Sequence, residues 1–392
     1  MDEFGYRYLV VTRLLRSIAL IYSGIAMPLY LLALHVRLAY IGLVLLAVMA
    51  FGMALSLSLG MLGDRKGFKY SLIIGEIVAF AGIALVAAAS NIYLIVLGMI
   101  LGGLSGGGGA VRGSMSSGLT AFIANNWKDD RERARKLAGL FTVGGVGSVI
   151  GSGLLYFNAP LEAIFSVAGA YRVLFAASSV MLLVSAVLLI FIHDTKRPRK
   201  TTRIMKRESM MYSLKVIASN SIAGMGIGIA IPLMPLWFAL SFKLSTSELS
   251  YIFILYYAIA GVGSFMARKI SHRFNQIDMG AATRVAGGTL LVLMAISPFA
   301  MLAAVFYELY GFMSALGVPS RVAVNVKGVH KEDYGTASTL QGVAMNASQL
   351  TSGLSGYVME YALTAPPLVG GVLQVAGGLV YRKIMRTRES AK

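Results

Sequence analysis

Apolar runs of about the 20 residues that a helix needs to cross a hydrocarbon core of about 30 Å recur along this chain, separated by short polar or Pro/Gly stretches. Twelve such runs fit, at 13–34, 39–61, 71–89, 92–115, 137–157, 171–192, 213–237, 249–270, 279–297, 299–323, 338–360 and 364–381. This predicts an all-α polytopic membrane protein of twelve transmembrane helices, with no soluble domain. The fourth run is the least regular. Its apolar character continues past Arg112 toward Ala124, and Gly106, Gly107, Gly108 and Gly109 would loosen a helix there or let a neighbour pack closely. The first run starts within a dozen residues of Met1, is longer than a signal-peptide core and lacks a small-residue cleavage site at its end. It reads as a spanning helix.

Composition supports the same reading. The chain has 392 residues, 57% hydrophobic and 13% charged, where soluble domains carry about 25% charged residues. Its 35 basic and 17 acidic residues give a net charge of +18, and the distribution of that charge sets the orientation. Arg7, Arg13 and Arg16, then Arg65, Lys66 and Lys69, then Lys128, Arg131, Arg133, Arg135 and Lys136 fall on the side of the termini. So do Arg268, Lys269, Arg273, Lys327 and Lys331, the tail from Arg382 to Lys392, and the His193–Met210 linker, which holds Lys196, Arg197, Arg199, Lys200, Arg203, Lys206 and Arg207. The opposite side shows Arg37, Arg172 and Lys243. The positive-inside rule makes both termini cytoplasmic. The charge is then a topology and anionic-lipid signal, which leaves no role for nucleic acid. Cysteine is absent, excluding disulfides, thiolate metal sites and cysteine nucleophiles.

The basic linker divides the chain into six runs and six runs, and the halves resemble each other. The run from Gly24 through Pro28 to Leu29 (GIAMPL) matches that from Gly228 through Pro232 to Leu233 (GIAIPL) at an offset of 204. The run from Gly60 to Lys66 matches that from Gly263 to Lys269 at an offset of 203. The expected domains are a six-helix bundle at 1–192, a basic cytoplasmic linker at 193–212 and a second six-helix bundle at 213–392, the two bundles being pseudo-symmetric.

The turn between the second and third runs reads G-x-x-x-D-R-x-G-x-K, with Gly60, Asp64, Arg65, Gly67 and Lys69 at the fixed positions. Together with twelve spans, the linker, the 6+6 repeat and the run from Tyr171 to Phe175 opening the sixth span, it resembles the signature loop of the major facilitator superfamily (MFS). The resemblance implies the MFS fold and secondary active transport, in which two bundles rock about a central site. It assigns Asp64 a latch role at the cytoplasmic gate, near Gly335 at the start of span eleven and near Arg133. Departures from the family pattern are Phe68 where many members carry a base, Ala267 in place of the second-half Asp, Met99 in place of a membrane Arg, and Ser152 in place of the Pro associated with antiporters.

Several residues are candidates for chemistry. Glu308 lies ten residues past Pro298, about 15 Å deep by helical rise and near the bilayer midplane. A carboxylate there is expensive, and burial moves it toward proton exchange near neutrality. It is the proton-coupling candidate. By the resemblance, spans one, four, seven and ten line the cavity, placing Glu308 beside Tyr307 and Tyr310. Arg112 and Arg321 each follow a serine by seven residues (Ser105, Ser314) and are candidate pseudo-symmetry mates. They either snorkel to the interface or guard the inner mouth and attract an anion. Glu76 is expected shallow in span three, paired with a loop base. Tyr22, Asn220, Tyr256, Tyr257, Asn346 and Gln349 offer either substrate hydrogen bonds or, for most of them, polar glue between helices.

No metal cluster, cofactor site, phosphate loop or nucleophile triad is legible, so the chain does not read as an enzyme. The leading expectation is a monomeric, multi-pass plasma-membrane transporter for proton-driven efflux of an amphipathic small molecule, its partners being substrate, protons and membrane lipids. The alternatives are uptake or exchange of an organic anion, and a lipid flippase or non-transporting receptor on the same fold.

Overall fold

The computed structural model describes residues 5–104, 118–120, 122–123, 126–127, 129–194, 205–270 and 273–386. Arg112, the run Gly106–Gly109 and linker residues 195–204 lie outside them. Every regular element among the described residues is helical. The first six spans are Tyr6–Ala33, Leu38–Lys66, Phe68–Ala88, Ile92–Gly102, Asp130–Gly153 and Val167–Leu188. The seventh is Arg207–Ala230 followed by Met234–Phe242. The eighth, ninth and tenth are Thr246–Ile270, Gln276–Ala295 and Ala300–Lys327. The eleventh is Tyr334–Ser348 and Ser352–Tyr361, and the twelfth is Ala365–Arg386.

Helix starts follow from side-chain caps. Asn91 accepts from the Tyr93 amide at 2.8 Å, Asp129 from Glu132 at 3.0 Å, Ser166 from Gly169 at 3.1 Å and Asn275 from Ile277 at 2.8 Å. At the terminus-bearing end the helices run beyond the apolar stretches that predict them. The first starts at Tyr6, the fifth at Asp130 and the seventh at Arg207. Charged residues are good helix formers once outside the hydrocarbon, so the apolar run marks the span and not the helix.

Two spans are interrupted. The seventh stops at Ala230, before Pro232, and resumes with Pro235 in its new first turn, where the missing amide costs nothing. The pseudo-equivalent Pro28 stays inside a continuous first helix, which has no second proline to start a new segment. The eleventh tightens to a 3-10 turn at Gln349–Thr351. There Ser348 donates to Met345 O at 2.7 Å and Thr351 to Met225 O at 2.8 Å, hydroxyl bonds that compete with the helical ladder.

The chain forms two compact units, residues 1–201 with 244–254 and residues 202–243 with 255–392. In the first, glycines of the fifth span let the first helix approach closely. A Cβ at Gly147 would lie 2.6 Å from Ser17 Cβ, and one at Gly151 would lie 2.5 Å from Ile18 O. Leu9, Phe68, Phe122, Trp127, Leu140 and Ile192 close its core at the terminus-bearing end. In the second unit the ninth and twelfth spans meet at Gly288 and Gly371, and the seventh and twelfth at Gly226 and Gly370. Its core includes Met205, Tyr212, Ile277, Val324, Tyr381 and Met385. Leu43, Val180, Leu183, Val187, Val305 and Val322 remain exposed, as lipid-facing side chains must in helices that satisfy their own backbone.

Candidate functional site

The signature loop is built on one left-handed residue. Gly67, at φ +103°, ends the second helix and begins the third, a conformation that glycine adopts without strain. Added at Gly67, a Cβ would lie 3.1 Å from Asp194 Oδ2, whereas one at Gly60 would meet nothing within 4 Å. Asp194, at the end of the sixth span, ties the loop down. Its Oδ2 accepts from the Lys69 amide at 3.2 Å and its Oδ1 from Asn126 Nδ2 at 3.2 Å, while Lys69 Nζ donates to Ile190 O at 2.6 Å. Asp64, Arg65 and Lys66 are exposed. Asp194 was missed by sequence reasoning because it stands within the linker, 125 residues from Lys69.

A buried polar cluster joins the first, third, fifth and sixth spans. Glu76, with no exposed surface, accepts from Arg16 Nη1 at 2.6 Å and from Ser185 Oγ at 2.8 Å. Thr12 donates to Ser185 O at 3.4 Å. Arg13 lies within electrostatic reach of Arg16 and Glu76 and passes the fifth helix at Gly144, where a Cβ would be 2.9 Å from its Nε. One expectation is corrected here: Glu76 is paired with Arg16 of the first span and not with a loop base. Arg13 and Arg16 are 2% and 4% exposed. A carboxylate in low dielectric holds its guanidinium partners there because any one of the charges alone would be costly.

In the second unit the tenth span carries Tyr307, Glu308, Tyr310 and Arg321. Tyr307 is fully buried and stacks on Tyr256 of the eighth span, centroids 4.4 Å apart and planes 13° from parallel. Phe238 of the seventh span meets it edge-on at 5.6 Å, and Trp237 packs on Phe238 at 4.9 Å. Tyr310 is buried one helical turn from Tyr307, centroids 6.2 Å apart. The Nε1 of Trp237 and the hydroxyl of Tyr257 are buried donors without an acceptor. Glu308 is half-buried and makes no hydrogen bond or ion pair with a described residue. It follows Tyr307 in sequence and is turned about 100° from it around the helix. Arg321 donates from Nη2 to Ser314 O at 3.0 Å, seven residues back on its own helix, and from Nη1 to Thr283 Oγ1 at 3.4 Å.

Outside the spans, Asp333 precedes the eleventh helix. The Ser209 hydroxyl bond, the Lys206 amide at 3.2 Å and the charges of Lys206 and His330 hold its carboxyl below the usual carboxylate range. No group of three or more His, Asp or Glu able to hold a metal occurs among the described residues.

Long apolar helices in a six-plus-six repeat, with a glycine-hinged cytoplasmic turn, define a multi-pass helical membrane transporter. The family model described as Major Facilitator Superfamily matches residues 9–353, and the chain belongs to that family. No curated protein matches the sequence. Among solved structures, a D-xylose–proton symporter superposes with a TM-score of 0.76 at 14% identity, covering 96% of each chain. A nucleoside transporter superposes with a TM-score of 0.74 at 12% identity, covering 98% of this chain and 99% of its own. A bacterial homologue of the human lysosomal transporter Spinster, inward-facing and unoccupied, gives 0.69 at 12% identity, covering 98% and 96%. At these identities the likeness is one of fold.

Proposed function

We propose that the protein moves a small amphipathic organic solute across the plasma membrane by alternating access, with Glu308 as the carboxylate that couples transport to protons. The observation that carries the reading is the aromatic face of the second unit. Tyr256, Tyr307, Tyr310, Phe238 and Trp237 pack ring on ring, and two buried donors beside them, Trp237 Nε1 and Tyr257 OH, lack acceptors. Trp237, Phe238, Tyr307 and Tyr310 are buried and Tyr256 is half-buried; opened by the change of access state, such rings bind flat or cationic groups through their faces and offer hydrogen bonds to a substrate oxygen or nitrogen. Glu308, on the same helix as Tyr307 and Tyr310, half-buried and unpaired among the described residues, is free to exchange a proton as its surroundings change. The likeness to carriers of a sugar and of nucleosides fits a small organic solute.

In this reading Asp64 belongs to the cytoplasmic latch, with Gly67, Lys69 and Asp194 holding its turn in shape. Uptake or exchange of an organic anion is the second reading, favoured by the closeness of the Arg321 and Arg284 guanidiniums within the second unit.

Glu308→Gln tests the coupling. The variant mimics the neutral carboxyl, so in proteoliposomes it keeps substrate exchange and loses net flux driven by a pH gradient. Accumulation against a gradient with the parent's pH profile would make Glu308 structural. Substrate binding without flux in the parent would identify a receptor.

A further inference from the structure

The ninth span holds a buried guanidinium that no described carboxylate answers. Arg284 lies eight residues beyond Gln276, about 12 Å along the helix from its terminus-bearing end, and is 9% exposed. Its Nη2 donates to Asn220 Oδ1 of the seventh span, and its Cζ stands 4.8 Å from the ring centroid of Tyr381 in the twelfth. Its Nη1 is buried with no acceptor, and so is the Tyr381 hydroxyl. Arg321 reaches the same ring. An added Cβ at Gly280 would lie 3.2 Å from Arg321 Cγ and 3.2 Å from Tyr381 Cε1. The two arginines interact electrostatically, and the side chain bonded to Arg284, Asn220, is neutral.

A guanidinium keeps its proton in a protein, and a buried charge without a counter-charge is among the costliest arrangements a fold can hold. Both unsatisfied groups, Arg284 Nη1 and Tyr381 OH, can donate, so the missing partner is an acceptor carrying negative charge. The first unit shows what such a partner does. Glu76 lies eight residues beyond Phe68 in the third span, as Arg284 does beyond Gln276 in the ninth. Asn220 sits at the 204 offset from Arg16. Where the first unit places an acid against its arginine, the second places an arginine against an amide.

We propose that Arg284 and Tyr381, with Arg321 beside them, form a binding site for a phosphate group in the terminus-bearing third of the second unit. The fork of a guanidinium matches two oxygens of one phosphate, and a second guanidinium favours a group of more than one negative charge. The group belongs either to a free phosphate compound or to an anionic lipid headgroup. The inference does not depend on the role of Glu308.

The test uses the full chain, purified in non-ionic detergent and depleted of lipid, with melting followed against inorganic phosphate at constant ionic strength. Phosphate raises Tm saturably in the parent. Arg284→Gln weakens the apparent affinity at least about tenfold, the loss expected for one charge-assisted contact. Tyr381→Phe keeps the ring under Arg284, removes only the hydroxyl and weakens it several-fold. Lys243→Gln, at the other end of the seventh span, leaves it unchanged. Phosphatidylglycerol micelles that compete with phosphate in the parent assign the site to a headgroup; micelles without effect assign it to a free phosphate compound. No saturable response to either probe, or equal affinity in the parent and Arg284→Gln, overturns the proposal. Should Arg284→Gln not fold, equal affinity in the parent and Tyr381→Phe does so.

Discussion

The third and ninth spans occupy corresponding places in the six-plus-six order, and each carries a buried charge eight residues from its first residue, of opposite sign. In the first unit, Glu76 takes hydrogen bonds from Arg16 and Ser185, while Arg13 Nε beside them is buried without an acceptor. In the second, Arg284 faces an amide and a tyrosine ring, and large donors at Trp237, Tyr257 and Tyr381 also lack acceptors. The same frame thus answers a buried charge with an opposite one on one side and leaves a guanidinium without a described counter-charge on the other. A repeat that preserves helix positions leaves the chemistry at each position free to diverge.

The sharpest way to break this comparison is to unbalance the closed side. Glu76→Gln leaves Arg13 and Arg16 buried without their acid, at a cost of about 3–5 kcal/mol, read as a large drop in Tm. Arg284→Gln removes a charge that has no counter-charge among the described residues, so without phosphate its Tm equals or exceeds the parent's. Equal losses in both variants would mean that the two clusters do the same job.

Asp64→Asn has a smaller expected effect, on rate and not on folding. A change of about 1.4 kcal/mol in the balance of the two access states shifts their ratio about tenfold. Flux falls accordingly, with substrate affinity little changed. Equal flux at equal reconstituted protein would deny the latch.

The smallest effect is at Asp333. Its carboxyl lies below the usual carboxylate range when folded, so the stability it contributes is present above the unfolded carboxylate pKa and is lost as pH falls through the folded one. Asp333→Asn should lower Tm slightly at neutral pH. Parent and variant should converge in acid; a gap that persists there would place the contribution elsewhere.

The spans, their repeat and the signature turn were legible in the sequence because hydrophobic length and glycine spacing are local signals. The buried ionic groups were not. Arg13 and Arg16 could be counted to the side of the termini from the sequence, and only the approach of the third and fifth helices shows them buried. Arg284 and Asp194 escaped attention for the same reason, since their partners lie 64 and 68 residues away or more. Tyr307 and Tyr310 were found by neighbourhood to Glu308, but the stack on Tyr256 needs the eighth helix in place.

The central claim is that ligand chemistry resides on the aromatic face of the second unit, and the chain's two tryptophans report on the two units separately. Trp127 lies in the core of the first, and Trp237 packs on Phe238 in the second. Two single-tryptophan proteins, Trp127→Phe and Trp237→Phe, are reconstituted in nanodiscs and titrated with the lipophilic cation tetraphenylphosphonium. Saturable change in Trp237 fluorescence, abolished by Tyr307→Ala, with Trp127 unresponsive, is the predicted result. A saturable response from Trp127 with Trp237 silent would contradict the account.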